Sequence, residues 1–559
     1  MKTKFALLLL LTSTTLTAQR FSELQVHSDQ LRLNLVADGS WNHATLPFAE
    51  WLTEDGTYAP LVQDGGFWIG GRDPSGVLEM ISIDGRDSVG GAPLVINQLE
   101  GFYKVAKSDI EQHIADFFDD GMVDNQDPTI YGWPGKGNPH FNTIHGEPLP
   151  IDLTNTASFF DYNLDNIYDP DDGDFPSIRS GSHAADFSEL YWYTFSVANS
   201  IKLNFDVGVH LLTLDCPTGI NDENIAYVGL FYDFITANAE DLIHCALGFS
   251  VIDGLGDSED NYVGIDTTSI GFSTAYMYNA QPSDAVLGDN PPAVGLHLSR
   301  GPWLYVFDDD GNQVGQYQSA SFTNFLPLFP SATEVPFITP PSSAQQARYD
   351  MLFSVWGDGR PLYYGGDGYD EDNFLARYAY PDYPNDPNGW SELQNQNPAG
   401  RRGFLASIAD FELRRVKEGN VVHQQFALAI SATGRAEDHL SQVNLLRGHA
   451  DTIFSTMYPA LPGFYEPICP DEPNSTTDLI SEASISLYPN PVDTEFRFSG
   501  ALNQQRGTMV IYNTRGQEVL VNKEANFMES TNVDFLPSGV YFARIIRSGQ
   551  QIAIRFVKR

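Results

Sequence analysis

The residues whose types and spacing best suit chemistry lie in an acidic segment between positions 161 and 172. Side-chain oxygens occupy its first, third, fifth, ninth and twelfth positions, which are Asp161, Asn163, Asp165, Asp169 and Asp172. The seventh residue, Ile167, has a backbone carbonyl to offer. A calcium ion takes six to eight oxygen ligands, and this spacing turns alternate residues of a tight loop toward one point. The segment therefore predicts a calcium site, with a solvated acidic loop as the alternative.

Two positions depart from the usual calcium loop. Asn166 stands where glycine is usual, which is tolerable because asparagine enters the left-handed backbone region more readily than most residues. Asp172 stands where glutamate is usual, so its shorter side chain predicts ligation through one oxygen. The turn at residues 173–176 is placed to close the loop.

A second acidic group predicts another calcium site. Its carboxylates lie in and beside a glycine-rich turn between two predicted strands, and they belong to Asp253, Asp257, Glu259, Asp260 and Asp266. Residues 308–310 are better explained as a hairpin turn. Residues 367–372 remain either a cation loop or a solvated one.

Catalytic motifs are missing from the sequence. It contains no Gly-x-Ser-x-Gly elbow, no His-Glu-x-x-His and no phosphate-binding Gly-rich loop. His140 and His145 could join Asp152 around a metal, although such a pair more often belongs to a solvated loop. His183 lies near Asp186 and Glu189 and has the same two interpretations. A glycosidase pair of carboxylates is not excluded, because the fold rather than the sequence sets its separation.

Aromatic residues crowd one Gly/Pro/Asp-rich stretch between residues 356 and 390. They are Trp356, Tyr363, Tyr364, Tyr369, Tyr378, Tyr380, Tyr383 and Trp390. Flat rings beside polar groups suit stacking on sugars, which makes a glycan or cell-surface polysaccharide a candidate partner. The alternative is that these rings pack a long loop onto the core.

Charge argues against one class of partner. The net charge is −42, yet the part from residue 485 onward has nine basic and six acidic residues. Lys2 and Lys4 add further positive charge, so the excess of acid lies between these ends. Such an acidic surface repels phosphate backbones, so nucleic acid is not an expected partner.

The first 18 residues have the pattern of a secretory signal peptide. Lys2 and Lys4 precede a short apolar run, and Ala18 offers a small residue for cleavage. The run is too short to span a bilayer, and no later window reaches 18 apolar residues, so no transmembrane helix is expected. We expect a secreted body at residues 19–470 that has either one domain or two subdomains, then a polar linker at 471–484 and a separate module at 485–559.

The C-terminal module has short alternating strands separated by Gly/Pro/Asn turns, as in a small Ig-like β-sandwich. Its motifs, in order, are LYPNP (487–491), YNTRGQEV (512–519), LPSGVYF (536–542) and RFVKR (555–559). This order resembles the type A C-terminal sorting domain of type IX secretion cargo from Bacteroidota. The resemblance implies passage through the periplasm, recognition by the outer-membrane translocon and sorting machinery, and then attachment to the outer cell surface or release. The alternative is an unrelated terminal Ig-like domain.

The body also resembles large exported Bacteroidota proteins. The segments that carry the resemblance are GFWIGGRDPSG (66–76), WPGKGNP (133–139), DYNLDNIYDPDDGDFP (161–176), DSEDNYVGID (257–266), NPPAVGLHL (290–298) and VWGDGRPLYYGGDGY (355–369). This second resemblance implies a family but no reaction.

Apolar runs at 225–235 and 242–252 predict core strands, and residues 404–416 and 421–432 predict a hairpin. One helix is expected to begin at Ser108 with Glu111 completing a capping box, and another to run from about Leu440 to Tyr458. Cys216 and Cys245 either form a disulfide or are buried thiols, and Cys469 is left over.

Together these patterns predict a mainly β protein: a large β-sandwich-type body with a few peripheral helices, plus the small C-terminal sandwich. The expected function is a calcium-stabilised binding, adhesion or structural role outside the cell. The alternative is an extracellular hydrolase acting on polysaccharide or protein, since this secretion route often carries degradative enzymes.

Overall fold

The structure is a computed structural model, and it separates into two compact units, Met1–Tyr458 and Pro459–Arg559. The residues that it describes are 23–83, 94–96, 99, 101–150, 155–178, 187–198, 203–213, 226–236, 241–267, 273–307, 313–318, 321–330, 345–413, 422–448, 485–488, 492–500, 506–513, 518–526, 530–537, 539–547 and 550–559. The predicted signal peptide, the linker at 471–484 and the body boundary at residue 470 lie outside these ranges, as do Cys216 and Cys469.

Strands dominate the first unit, which we call the body. They are β1 Glu23–Ser28, β2 Leu31–Val36, β3 Ala49–Leu52, β4 Tyr58–Val62, β5 Asp64–Arg72, β6 Leu78–Ile83, β7 Leu94–Ile96, β8 Tyr103–Ala106, β9 Phe159–Phe160, β10 Phe175–Pro176, β11 Glu189–Ala198, β12 Asn204–Thr213, β13 Ala226–Thr236, β14 Leu242–Ile252, β15 Asn261–Asp266, β16 Ser273–Asn279, β17 Ser283–Asp284, β18 Gly288–Asp289, β19 Ala293–Arg300, β20 Trp303–Phe307, β21 Gln313–Gln318, β22 Asn324–Leu328, β23 Gly403–Leu413 and β24 Val422–Thr433.

Over the described residues, the helices of the body are short and peripheral, and residues 449–458 of the second predicted helix lie outside the described ranges. The helices are α1 Lys107–Asp120, α2 Pro128–Tyr131, α3 Phe141–His145, α4 Gln345–Met351 and α5 Ser441–Gly448, with a 3-10 turn at Pro170–Asp172. The predicted cap of α1 is wrong, because the helix begins one residue before Ser108 and Asp109 accepts the Ala106 N–H (3.4 Å). For α5, Asp438 caps the first turn by accepting the backbone N–H groups of Leu440 (3.0 Å) and Ser441 (2.9 Å).

Two antiparallel sheets form the centre of the body. One has nine strands in the order β15-β16-β19-β24-β13-β12-β11-β7, with β8 also paired to β11. The other has five strands in the order β22-β23-β14-β5-β6, and β1–β4 make a separate four-stranded sheet. The predicted strands near 225–235 and 242–252 are thus present as β13 and β14. The predicted hairpin at 404–432 is wrong, because β23 and β24 belong to different sheets.

One hydrophobic core unites these three sheets. Tyr193 and Phe195 of β11, Phe249 of β14 and Leu33 of β2 all belong to it. Glycines allow close approach within this core: a Cβ on Gly248 would lie 2.4 Å from a Leu352 side-chain carbon. The mainly β, sandwich-type architecture that the sequence predicts is therefore confirmed.

The nine-stranded sheet is buried on both faces. On β11, Tyr191 and Tyr193 belong to the central core, whereas Leu190 and Trp192 belong to a second core. Residues of that second core outside the sheet include Ile110, Trp133, Tyr168 and Phe175, so a layer built from residues 99–178 covers one end of the sheet. We call this layer the covering layer.

Helix α5 covers the other end of the same face. Val443 and Leu446 contact Tyr262, Tyr276 and Tyr278 of β15 and β16. Beside them the buried Arg447 donates to Asp266 (2.8 Å), an ion pair that fixes the helix to the end of β15.

The second unit is a small sandwich of two antiparallel sheets. Its strands are β25 Ile485–Tyr488, β26 Glu495–Gly500, β27 Arg506–Asn513, β28 Glu518–Asn526, β29 Thr531–Asn532, β30 Gly539–Arg547 and β31 Gln550–Lys558. They form the orders β25-β26-β29 and β28-β27-β30-β31 around Phe496, Ile511, Tyr541 and Phe556.

A buried ion pair connects the two large sheets. The fully buried Glu392 accepts the Val263 N–H of β15 (2.8 Å) and the Arg402 Nε–H (3.0 Å), next to the start of β23. Removing one member of such a pair leaves the other charged and buried, which costs more than the pair contributes.

We predict that Glu392→Gln lowers the free energy of unfolding of the body by about 3–5 kcal/mol, because the Arg402 charge stays buried without its counterion. Denaturant unfolding followed by tryptophan fluorescence measures this in the full chain, since all 8 tryptophans lie in the body. Glu371→Gln is the control, because Glu371 and Arg360 form an exposed pair at 3.5 Å that should contribute less than about 1 kcal/mol. Equal effects of the two substitutions would contradict the prediction.

Candidate metal centre

The predicted calcium loop is a hairpin of the covering layer. Phe160 of β9 pairs with Phe175 of β10, and their rings stack with centroids 4.7 Å apart. Within the loop, Tyr168 is fully buried and its hydroxyl donates to the Ile130 carbonyl (2.7 Å). The base and the middle of the loop are therefore fixed to the second core, whereas the acidic residues lie toward solvent.

Asp174 ties the two arms of the loop together. This buried carboxylate accepts the Tyr162 N–H (2.8 Å) from one arm and the Asp169 N–H (3.0 Å) from the other. Burial raises the pKa of Asp174 to about 6, and the two backbone hydrogen bonds offset part of that rise. The sequence pattern placed Asp174 only in the closing turn, and its role in joining the arms was missed.

The first half of the loop wraps its backbone around side-chain oxygens. Asp161 accepts the N–H groups of Asp165 (3.2 Å) and Asn166 (2.7 Å), and Asp165 accepts that of Ile167 (2.8 Å). Asn163 Oδ1 also accepts the Asp165 N–H (3.0 Å). Asn166 has φ of 63°, the left-handed conformation that asparagine tolerates at the usual glycine position.

The twelfth position joins this group. Asn163 Nδ2 donates to Asp165 (3.2 Å) and to Asp172 (3.2 Å), so these three side chains lie together. Burial raises the pKa of Asp172, and so do the nearby charges of Asp169, Asp165 and Asp171. Hydrogen bonds of Asn163 and of the loop backbone thus link Asp161, Asp165 and Asp172, although these three are not among the described groups whose ligand atoms all lie within 4.8 Å of one another. A cation would lower the repulsion among these carboxylates.

The ninth position has a different contact. Asp169 Oδ1 lies 3.2 Å from His140 Nε2, and Asp171 Oδ2 lies 3.3 Å from the same nitrogen. The predicted grouping of His140 with His145 is not formed, because His145 Nε2 contacts the Gly132 carbonyl (2.8 Å). Asp152, His183 and Asp186 lie outside the described residues.

The second predicted group is divided by two arginines. Arg401 forms an ion pair with Asp253, and Arg447 forms one with Asp266. Glu259 is exposed. What remains is Asp257 and Asp260 beside Asp284.

Asp284 is a residue that the sequence pattern missed. It lies in β17, far along the chain, and Asn279 Nδ2 donates both to it (3.1 Å) and to Asp260 (2.8 Å). Burial raises the pKa of Asp260, and the charges of Asp257 and Asp284 raise it further.

The remaining acidic stretches give no metal group. Asp367 and Asp370 accept backbone N–H groups of Tyr369 and Asp372 (both 3.1 Å), as side chains of ordinary turns do. Residues 308–310 lie outside the described part of the chain.

Most of the crowded aromatic residues pack the long loop. Trp356, Tyr380 and Trp390 are buried in the central core, and the indole N–H of Trp390 donates to the Gly366 carbonyl (2.9 Å). The others in the set are half-buried. The exposed ring nearby belongs to Phe374, which stacks on Tyr364 at 4.7 Å.

A histidine–serine contact occurs inside the body. His297 lies 2.6 Å from Ser431 Oγ and 2.8 Å from Thr274 Oγ1. All three residues are buried, so a substrate carbonyl cannot reach the hydroxyl in this conformation. Cys245 is also buried, its thiol donates to the Leu242 carbonyl (3.4 Å), and burial raises its pKa to about 12. Its environment is that of a buried thiol, one of the two alternatives that the sequence left open, and Cys216 lies outside the described residues.

Comparison with known proteins identifies the second unit. Residues 486–559 match the secretion system C-terminal sorting domain family. The chain is a type IX secretion cargo. Its destination is therefore the cell surface or the extracellular space, and the secretion machinery is a partner of the sorting domain. A search of curated proteins gave no match to this cargo. Over the described residues, no helix has the length and apolar character to cross a membrane.

We predict that the buried His210 makes the free energy of unfolding of the body depend on pH. The buried His210 on β12 accepts the Ser158 N–H (3.2 Å), next to β9, and burial lowers the His210 pKa to about 4. The unfolded chain takes up this proton near pH 6.5. Since the unfolded state then binds more protons, stability present above pH 6.5 is lost as pH falls toward 4, by about 3 kcal/mol.

His210→Gln keeps an acceptor that does not titrate, so the unfolding free energy should depend less on pH across this window. Denaturant melts at several pH values measure it, with the exposed His244 replaced by Gln as the control. An unchanged pH slope in the His210 variant would contradict the assignment.

Removal of the sorting domain should stop export. A chain ending at residue 484, expressed in a bacterium with type IX secretion, should accumulate in the periplasm, because the translocon has no signal to recognise. Cell fractionation measures this, with full-length Asp367→Asn as a control for normal export. Equal surface or medium levels of the truncated chain would refute the prediction.

Proposed function

We propose that the body of this cargo is a calcium-stabilised, non-catalytic protein with a binding, adhesion or structural role outside the cell. The observation that supports the calcium part is the set of hydrogen bonds that links the side chains of Asp161, Asn163, Asp165 and Asp172 within one short loop. Hard oxygen donors of this kind suit calcium, and the Ile167 carbonyl is available at the seventh position.

The charge balance of the loop supports a cation. Among the described residues, none of the carboxylates of Asp161, Asp165 and Asp172 forms an ion pair with lysine or arginine. By contrast, Asp253 and Asp266 each have an arginine that neutralises them. A bound cation would balance the negative charge of these loop carboxylates.

The position of the loop explains what calcium would do. The loop closes the covering layer, and its Tyr168 and Phe175 belong to the second core. An ion that joins Asp161 to Asp172 would hold both arms in place and slow local opening of that layer. Extracellular calcium modules commonly bind with dissociation constants of about 0.1–1 mM, which suits a protein that works outside the cell.

The surface offers a place for a non-catalytic contact. Phe374 and Leu375 are exposed side by side, and Phe374 rests on Tyr364. Exposed rings on a rigid support favour contacts with a glycan or another surface polymer. This binding role rests on the chemistry of the patch and on the destination of the cargo.

Calcium should raise the melting temperature of the full chain by a few degrees, and chelator should reverse the rise. A ligand at 100 times its dissociation constant stabilises by about 2.7 kcal/mol. Asp165→Asn should abolish most of the shift, because it removes one negative charge from the loop while keeping a side-chain oxygen for the turn.

The matched control is Asp367→Asn, which removes an aspartate from an ordinary exposed turn and should keep the calcium response. Differential scanning calorimetry or fluorescence melting measures all three proteins. An unchanged melting temperature of the wild type in calcium and in chelator would contradict the calcium proposal. An undiminished calcium-dependent rise in the melting temperature of Asp165→Asn would show that calcium binds elsewhere than in this loop.

A further inference from the structure

We propose that His140, Asp169 and Asp171 form a second metal site, which takes a divalent transition metal such as zinc. This site is chemically different from the proposed calcium loop, and it includes Asp169, which the sequence pattern assigned to that loop but which contacts His140. Its three ligand atoms all lie within 4.8 Å of one another.

The spacing of these atoms fits a small ion. His140 Nε2 lies 3.2 Å from Asp169 Oδ1 and 3.3 Å from Asp171 Oδ2. In a tetrahedral zinc site with ligands at about 2.0–2.1 Å, neighbouring ligand atoms are about 3.3 Å apart. N–H···O hydrogen bonds are typically about 2.9–3.0 Å long, so both contacts are longer than an optimal hydrogen bond. One nitrogen thus faces two carboxylates at the separation that a shared metal requires.

The imidazole decides which metal class fits. Calcium and magnesium take oxygen ligands, whereas an imidazole nitrogen with carboxylates suits zinc and neighbouring transition metals. Three protein ligands leave a fourth position for water or an external group. The side chains of His140, Asp169 and Asp171 are 26%, 28% and 48% exposed, so an ion reaches them from solvent.

Tyr131 orients one of the three proposed ligands. Its hydroxyl donates to Asp171 Oδ1, which leaves Oδ2 directed toward His140. Its ring also lies edge-on to the His140 ring, with centroids 4.8 Å apart. Groups that orient ligands from behind in this way are typical of metal sites.

The backbone holds the ligands in place before any ion binds. Asn138 accepts the His140 N–H (2.8 Å), and its buried amide donates to the Trp133 (2.7 Å) and Tyr131 (2.9 Å) carbonyls. On the other side, the 3-10 turn at Pro170–Asp172 places Asp169 and Asp171 next to each other. Such preorganisation reduces the cost of binding.

The test is a zinc titration of the full chain in saturating calcium, followed by calorimetry, with cobalt absorption as a spectroscopic readout. Wild type should bind one zinc at this site. His140→Gln should lose affinity by about tenfold or more, and Tyr131→Phe by about tenfold, because it removes only the orienting hydroxyl.

Two control variants distinguish a failure of the zinc proposal from a failure of the calcium proposal. His244→Gln removes an exposed histidine that lies 3.1 Å from a single carboxylate, that of Asp410, and should bind zinc as wild type does. Asp161→Asn changes the calcium loop alone, so it should lose the calcium-dependent melting shift and keep zinc. Tryptophan fluorescence confirms that each variant is folded.

Three results would overturn the proposal: no zinc bound by wild type, wild-type affinity in both His140→Gln and Tyr131→Phe, or an equal loss in His244→Gln. None of these results bears on calcium, because the melting shift is measured separately in the same proteins.

Discussion

Burial of the nine-stranded sheet on both faces is the constraint on which the rest of the body depends. Tyr193 of β11 faces the central core while its neighbour Trp192 faces the second core, so neither face tolerates water. The five-stranded sheet covers the first face. The covering layer and α5 divide the second, and the covering layer ends in the acidic loop. The proposed calcium loop therefore belongs to the covering layer, which buries Leu190, Trp192 and Leu212 of the sheet.

Buried and exposed carboxylates of the acidic body are stabilised by different partners. Inside, Glu392 and Asp266 are paired with arginines, and the buried Asp174 is satisfied by backbone N–H groups. At the surface, Asp367 and Asp370 cap turns and are solvated. In the 161–172 loop, Asp161 and Asp165 also accept backbone N–H groups, and Asp169 and Asp171 contact His140. Among the described residues, Asp161, Asp165 and Asp172 form no ion pair with lysine or arginine, and a bound cation would balance their charge.

The sequence predicted what depends on local pattern. Alternating apolar residues identified β13, β14, β23 and β24, and the spacing of oxygens from Asp161 to Asp172 identified a loop whose backbone wraps those side chains. The sorting domain was recognisable because its motifs are short, ordered and local. The turn positions of Asn166 and of the glycine after Asp172 also follow from local backbone preference.

Long-range partners could not be read in the same way. Arg401 and Arg447 lie well over one hundred residues from Asp253 and Asp266, so nothing local reveals that these aspartates are already neutralised. Asp284 beside Asp260 and His140 beside Asp169 are closer in the chain, the latter pair 29 residues apart, but they too lie outside the local motif from which the site was predicted. The predicted hairpin of β23 and β24 is wrong because the two strands belong to different sheets. Packing in the core determines which sheet each strand joins, and the sequence of the connecting loop does not reveal it.

The most direct test of the account is a crystal structure of the full chain grown with calcium. If the loop is a calcium site, we expect one ion in it, at about 2.3–2.6 Å from oxygens of Asp161, Asn163 and Asp165 and from the Ile167 carbonyl. A loop that is ordered at saturating calcium and holds no ion, with its carboxylates hydrated instead, would contradict it.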